Sequence, residues 1–174
     1  MSLVIGTELN DRILTRGEDG EGDVIYALGG DDIVVSSSGK DVVFGELGAD
    51  LLIGGDGDDF LNGSTRQGGV EGGGNDGNDR IYGGDGNDVI FGGSGLDVLT
   101  GGAGEDLFIF NWGDNDAVDT ITDFTVGEDQ IEFQGIGDRK IAYDAITGIV
   151  SVDGQAFIQL DPGLDFSEDD YFLQ

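Results

Sequence analysis

Between residues 27 and 109, polar and apolar positions recur with a period of nine. The units open on six mainly small or polar residues and close on three mainly apolar or aromatic ones, as in GGDGNDVIF (83–91) and GGAGEDLFI (101–109). Aspartates mark the period: Asp32, Asp41, Asp50 and Asp59, then, after one longer step, Asp79, Asp88, Asp97 and Asp106. Two weaker units precede them, around Asp11 and Asp23. Two residues after each of these ten aspartates the chain is apolar: Ile13, Ile25, Val34, Val43, Leu52, Leu61, Ile81, Ile90, Leu99 and Phe108. A glycine lies two before the aspartate in all eight strong units.

This pattern predicts a short strand and a turn in every unit. A stretch such as G-G-x-G-x-D does not form helix, because each interior glycine costs about 1 kcal/mol relative to alanine. Glycine tolerates positive φ and close backbone approach, so this half is a turn whose carbonyls can point inward. The β-branched and aromatic residues that follow favour a strand, with the middle side chain facing opposite to its neighbours. Strand, turn, strand, turn makes one coil of 18 residues. A fixed internal period of this kind is the mark of a solenoid. Stacking at about 4.8 Å puts each unit over the one two units away. The aspartates then fall into two columns: Asp23, Asp41, Asp59, Asp88 and Asp106, and Asp32, Asp50, Asp79 and Asp97.

Composition sharpens the consequence. The 174 residues hold 37 Asp plus Glu against 7 Lys plus Arg, a formal net charge of −30. That balance argues against nucleic acid or an anionic membrane surface as a direct partner. There are 35 glycines, one proline, no cysteine and no histidine. Disulfides, zinc thiolates and the serine–histidine and cysteine–histidine mechanisms are thereby excluded. No catalytic residue is expected. Like-charged carboxylates stacked at strand spacing repel unless a cation lies between them. Ca²⁺ takes six to eight oxygens from carboxylates and backbone carbonyls, the donors these turns offer; Mg²⁺ prefers a tighter, wetter octahedron. With 37% hydrophobic residues the chain is too apolar for a permanently disordered acidic tail, and it reads as one that folds conditionally. No apolar run is long enough to span a membrane. The start, MSLVIG, lacks the charged and apolar regions of a secretory leader. It leads straight into the repeat, as expected of a piece of a longer protein or of a very small native one.

GGDGDDFLN, GGDGNDVIF, GGSGLDVLT and GGAGEDLFI resemble the repeats-in-toxin (RTX) nonapeptide, a haemolysin-type calcium-binding repeat, over roughly residues 6–109. The following DTITDFTVGEDQIEF (119–133) is similar to the segment after the last repeat of secreted RTX proteins, and YDAITGIVSVDG (143–154) to a hairpin their flanks carry. The terminal Asp170-Tyr171-Phe172-Leu173 resembles the acidic and hydrophobic end read by type I secretion systems, with Gln174 added after it.

The resemblance implies an all-β, right-handed parallel β-roll followed by a small antiparallel β cap. Residues 1–26 are expected as degenerate N-terminal repeats, 27–109 as the calcium-binding roll, and 110–174 as the cap with a secretion signal. It implies six to eight Ca²⁺ ions, bound by Asp32, Asp41, Asp50, Asp59, Asp79, Asp88, Asp97 and Asp106. Carbonyls of the turns would complete the sites, among them those of Gly54, Gly55, Gly57, Gly83, Gly84, Gly86, Gly92, Gly93, Gly95, Gly101, Gly102 and Gly104. The implied role is a module that folds on extracellular Ca²⁺ and supports type I secretion and stability of a secreted protein. Its implied partners are the secretion apparatus and an upstream enzymatic or toxin domain. The alternative is a stand-alone cell-surface, adhesive or polysaccharide-binding protein. Ice binding fits poorly, since only Thr7 and Thr100 lie in the repeats.

Several residues depart from the pattern. Ser36, Ser37 and Ser38 replace turn glycines, and Lys40 sits beside Asp41. Leu9 and Glu21 stand where glycine is usual, so Asp11 and Asp23 are left out of the ligand set. The segment 63–73 interrupts the period; it reads as a surface loop, as a partner-contact loop carrying Arg66, or as a degenerate eleven-residue repeat that would shift Asp79 to another column. Tyr26, Val35, Phe44, Ile53, Tyr82 and Phe91 form an outward apolar stripe, to be covered by folded-back C-terminal hairpins, by a second copy or by an upstream domain. Trp112 reads as a plug at the end of the roll, or less readily as a sugar-stacking ring. Asp58-Asp59 offers paired carboxylates for glycoside chemistry, but every unit repeats them and no unique cleft is implied. Past Phe110, Thr120–Phe124, Gln130–Phe133, Lys140–Tyr143, Ile149–Val152 and Gln155–Leu160 are expected to be antiparallel strands. Of Asp114, Asp116, Asp119 and Asp123, one or two are expected to complete the last sites.

Overall fold

The computed structural model describes residues 1–16, 20–64, 77–114 and 117–174. In chain order the strands are β1 (Leu3–Thr7), β2 (Arg12–Leu14), β3 (Val24–Leu28), β4 (Ile33–Val35), β5 (Val42–Phe44), β6 (Leu51–Asp56), β7 (Phe60–Asn62), β8 (Arg80–Asp85) and β9 (Val89–Phe91). They continue as β10 (Val98–Ala103), β11 (Leu107–Asn111), β12 (Asp119–Ile121), β13 (Gln130–Gln134), β14 (Ile141–Asp144), β15 (Ile149–Val152), β16 (Gln155–Gln159) and β17 (Tyr171–Leu173). One 3₁₀ turn spans Trp112–Asp114, and the described residues contain no α-helix.

Successive strands alternate between two sheets, ordered β1-β3-β5-β7-β9-β11-β13-β17 and β14-β15-β16-β12-β10-β8-β6-β4-β2. Coil-to-coil pairing is parallel. In one sheet Val43 pairs with Ile25 and with Leu61; in the other Leu52 pairs with Val34 and with Ile81. The chain therefore forms the parallel β-solenoid that its nine-residue period predicts. The residue two after each repeat aspartate points inward. From Ile25 to Phe108 these nine side chains are fully buried, and Ile13 of the first coil nearly so. Burying each is worth about 1.5–3 kcal/mol, and the side chains of both sheets join in one core cluster.

The interruption keeps register. Asp79 follows its column partner Asp50 by 29 residues where neighbouring steps take 18. The extra eleven residues thus leave Asp79 in its expected column, and the column shift of a degenerate repeat does not occur. The insertion point differs from the expected one after Asn62. A Cβ on Gly63 would overlap Asp79 Oδ2, as one on Gly54 would overlap Asp59 Oδ2, so Gly63 already fills the first turn position and the added stretch begins after Ser64. Residues 65–76 lie outside the described residues, and with them Arg66.

The C-terminal region corrects two expectations. β12 and β13 do not begin an antiparallel cap; they pair parallel to β10 and β11, and so add a further coil. Only β14, β15 and β16 form an antiparallel meander, and β16 joins β12 in parallel. This meander extends its sheet and does not fold back over the outward stripe. Along that stripe neighbouring coils cover one another instead: Tyr26 stacks on Phe44 at 5.1 Å, and Phe44 meets Phe60 at 5.7 Å. The end of the roll is closed by aromatic side chains. Phe157 contacts Phe110, Phe133 and Trp112, while Phe166 contacts Phe124, Tyr143 and Tyr171. Trp112 stacks on Phe157 and carries the Arg139 guanidinium 4.5 Å from its ring centre, so protein groups take up the ring a sugar would need.

Candidate metal centre

Every repeat aspartate ends its turn just before a strand, and all eight are buried. One carboxylate oxygen ties the coils together. Asp59 Oδ1 accepts the Asp41 N–H at 2.8 Å, Asp88 Oδ1 that of Asp59 at 2.8 Å, and Asp106 Oδ1 that of Asp88 at 2.9 Å. In the other column Asp50 accepts from Asp32, Asp79 from Asp50 and Asp97 from Asp79, at 2.8, 2.8 and 2.9 Å. The columns are thus hydrogen-bonded ladders of carboxylates.

The second oxygen has a different fate. It turns back onto the first residue of its own turn: a Cβ on Gly54, Gly83, Gly92 or Gly101 would overlap Oδ2 of Asp59, Asp88, Asp97 or Asp106. The N–H of that first residue is spent on the next coil, as Ser36, Gly45 and Gly63 donate to the carbonyls of Ile53, Asn62 and Phe91. At Asp32, Asp41, Asp50, Asp59, Asp88 and Asp106, Oδ2 is consequently buried without a hydrogen bond. An ionised oxygen in that state is expensive. Burial pushes Asp50 and Asp59 up to about 7 and Asp88 and Asp106 up to about 6, against the backbone N–H each carboxylate accepts. Neighbouring carboxylates add to the rise.

The remaining glycines let carbonyl oxygens of one coil approach the turn of the next. A Cβ on Gly55, Gly57, Gly84, Gly86, Gly95, Gly102 or Gly104 would overlap the carbonyl of the turn residue one coil away: Ser37, Gly39, Gly55, Gly57, Gly77, Gly84 or Gly86. Gly93 takes the positive φ, 105°, that Gly55, Gly84 and Gly102 also adopt at the second turn position. At that position Leu28 and Glu46 hold φ of 83° and 74° without being glycine. Among the described residues no three carboxylates converge on one point. A cation between coils would therefore draw mainly on carbonyls, with a carboxylate from a column, which is an all-oxygen set suited to Ca²⁺. Orphaned buried oxygens beside carbonyl-lined turns fit that ion.

The departures have local explanations. The Ser36 hydroxyl lies 2.8 Å from the Gly54 carbonyl and 3.0 Å from that of Ile53, so serine is accommodated at a first turn position. Lys40 reaches outward to Asp58, 3.3 Å away and solvent-exposed, and not to Asp41. Asp23 Oδ1 accepts the Ser2 N–H, which holds its carboxyl below the usual range. Asp119 continues one column by accepting the Asp97 N–H at 2.9 Å, and Asp123 caps the last turn through the Gly101 and Gly102 N–H groups. The side chains of Asp114 and Asp116 lie outside the described set. One column member was not foreseen: Asp129 accepts the Asp106 N–H, whereas Asp170, whose neighbour Tyr171 pairs with Ile131, lies one residue out of that register. The signal was present in Gly127-Glu128-Asp129-x-Ile131, which repeats both the glycine two before the aspartate and the aspartate-to-core spacing.

These features define a parallel β-roll carrying two carboxylate columns against glycine turns. The model of the RTX calcium-binding nonapeptide repeat, in four copies, matches residues 5–43, 35–65, 73–108 and 85–117. That is more than half of the chain, which belongs to this RTX calcium-binding repeat family. No curated protein matches the sequence. The extracellular lipase LipA from Serratia marcescens is similar in structure, with 17% identity and a TM-score of 0.37. The alignment covers 99% of this chain, which spans 40% of that lipase chain.

Proposed function

We propose that the chain is a calcium-dependent folding module of a secreted protein, exported through a type I pathway and folded by Ca²⁺ outside the cell. The observation that carries this reading is the row of buried, unbonded Oδ2 atoms in both columns. Asp32, Asp41, Asp50, Asp59, Asp79, Asp88, Asp97 and Asp106 are the proposed carboxylate ligands, with the turn carbonyls completing each site. Bound calcium supplies positive charge between stacked carboxylates; the chain supplies rigid turns at the spacing of a parallel sheet. Binding to the folded state alone couples metal to stability. β17, with Asp170 buried, is docked into a sheet in the folded chain, so a terminal secretion signal would be read before folding. The role is structural, and an upstream catalytic or toxin domain is its proposed companion.

Equilibrium dialysis with metal analysis, run beside far-ultraviolet circular dichroism, tests the reading. Six to eight ions should bind as β-structure appears: six follow from pairing each strong turn with the next turn of its column, and the others would use the Asp23 turn and the 111–116 segment. Fewer than four ions, or β-structure that is complete before calcium is added, overturns it.

A further inference from the structure

The step from β7 into the next turn carries a reactive pair. Of the seven asparagines only Asn62 precedes a glycine; the others precede aspartate or tryptophan. Glycine has no Cβ, so its nitrogen lies open to the side chain before it. Once the Gly63 nitrogen gives up its proton, it can attack the amide carbon Cγ of Asn62. A C–N bond forms, ammonia leaves, and a five-membered succinimide results. Water then opens one ring carbonyl or the other, giving aspartate or isoaspartate, and no further reactant is needed. The folded roll blocks each part of this. Ring closure has to turn the 62–63 peptide out of the extended strand until Gly63 N and Asn62 Cγ reach attack distance, about 3–3.5 Å. That peptide is tied on both sides. Its carbonyl accepts the Gly45 N–H at 2.9 Å from one neighbouring coil, and its N–H donates to the Phe91 carbonyl at 2.9 Å in the other. The side chain is tied as well, since Asn62 Oδ1 accepts the Ser64 N–H at 2.8 Å and the Ser64 hydroxyl at 2.9 Å. Asn62 is 6% exposed, which keeps out the water that would open the ring.

We propose that Asn62-Gly63 is a modification site open only in the unfolded chain, and that its conversion to isoaspartate bars return to the roll. The proposal rests on the reading that calcium folds the repeats. Isoaspartate carries the main chain through Cβ and lengthens it by one atom. The added atom falls between β7 and the turn that Gly63 opens, where even a Cβ on Gly63 would overlap Asp79 Oδ2. The pairing of Asn62 with Phe44 and Phe91 cannot be kept across that insertion. Asp-Gly steps such as Asp56-Gly57 and Asp85-Gly86 are slower to cyclise, because the ring would have to lose water from a carboxyl that is ionised at neutral pH in the unfolded chain. Asn62 is therefore the weakest point of the metal-free chain. Time spent without metal is limited: a chain that stays unfolded loses, molecule by molecule, the ability to fold.

Peptide mapping by mass spectrometry tests this on the full chain, aged at pH 7.5 in EGTA and in calcium, with circular dichroism as the record of folding. In EGTA Asn62 should convert from amide to acid; in calcium it should convert at least about tenfold more slowly, a ratio set by how rarely the folded coil opens. Asn78 and Asn87, each followed by aspartate, are controls in the same molecule and should lag far behind Asn62 in EGTA. When calcium is added to the aged chain, the fraction that regains β-structure should match the fraction without isoaspartate at position 62. Asn62→Gln, whose longer side chain does not close the five-membered ring, should keep its refolding yield through the same ageing. Equal conversion of Asn62 in EGTA and in calcium, with circular dichroism showing the calcium-dependent fold, overturns the proposal. So does full recovery of β-structure by chain that carries isoaspartate. If calcium changes no β-structure, the proposed function fails, and the modification site is judged alone: conversion in plain buffer as fast as in guanidinium overturns it. If Asn62→Gln does not fold, the isoaspartate content of the refolded and unfolded fractions of the unsubstituted chain decides.

Discussion

A single oxygen atom decides what most aspartates of this chain need. Asp88 Oδ1 is bonded to the coil before it, while its Oδ2 is buried and unbonded; Asp11 Oδ2 is already paired with Thr7. Asp88→Ala should therefore raise the calcium midpoint of folding about threefold or more, while Asp11→Ala should leave it nearly unchanged. Calcium titrations followed by circular dichroism compare the two, and equal midpoints would count against the ranking. The glycines make a parallel case. Gly84 and Gly127 both hold positive φ, 128° and 81°, but only at Gly84 would a Cβ strike a backbone carbonyl, that of Gly55. Gly127→Ala should cost about 1 kcal/mol from φ alone, and Gly84→Ala roughly 3 kcal/mol or more, in denaturant melts at saturating calcium. Protonation bears on the same oxygens. The folded carboxyls of Asp50, Asp59, Asp88 and Asp106 are raised from 3.8 to between about 6 and about 7. The metal-free fold therefore binds protons more tightly than the unfolded chain does. Its stability is greatest below the unfolded value and is lost as pH rises through the folded ones. Without calcium, acidification from pH 7.5 to pH 5 should increase β-structure, and at pH 6.5 calcium binding should release protons into a weakly buffered solution. A metal-free spectrum that does not change over this range contradicts the burial argument.

Strands and turns were readable where local chemistry repeats, and less so where it stops. The step of two from Asp32 to Val34 and from Asp88 to Ile90 placed the core, because alternation in a strand leaves the middle residue one side only. Both columns and the register across the insertion followed from counting. The insertion point did not, since Gly63 looks alike whether it opens a loop or a turn; only its approach to Asp79 Oδ2 separates the two. Past Phe110 short apolar runs no longer carry a period, so β12 and β13 were indistinguishable from hairpin strands. What makes them parallel is non-local: Ile121 completes the column of Leu99, and Ile131 that of Phe108. Asp129 was hidden although Gly127-Glu128-Asp129 repeats the G-x-D of the units, because it follows its column partner Asp106 by 23 residues and so breaks the period. The meander has a defined duty at this scale. β16 covers the edge of β12 that would otherwise be open, and open parallel edges invite pairing with other chains. Removing residues 141–160 should leave calcium binding by the central repeats in place but produce concentration-dependent association in light scattering. A truncated chain that stays monomeric at high concentration would show that the β12 edge needs no cover.

Across the whole molecule, apolar columns and carboxylate columns compete along the same axis. Each coil contributes two fully buried inward side chains, yet it also stacks two more carboxylates on those below, in a chain of net charge −30. Neither side is local: a coil buries its faces only against the next coil, and its carboxylates meet only those of the next. The balance should therefore tip for the stack as a unit and not coil by coil. About seven calcium ions would bring in about fourteen positive charges, placed between the carboxylates that repel most. In chelator at pH 7.5, small-angle scattering should show an expanded chain over the repeats. Calcium should then compact it in a steep transition, with a Hill coefficient of about 3 or more. Magnesium at the same concentration should compact it much less, because it keeps its own waters and prefers a smaller octahedron. Monovalent salt gives the decisive comparison. At about 1 M it screens charges to about 3 Å but coordinates nothing. If salt alone restores the compact β-roll, repulsion is the whole barrier and the buried oxygens need no ligand; if only calcium restores it, Oδ2 coordination is the link between metal and fold.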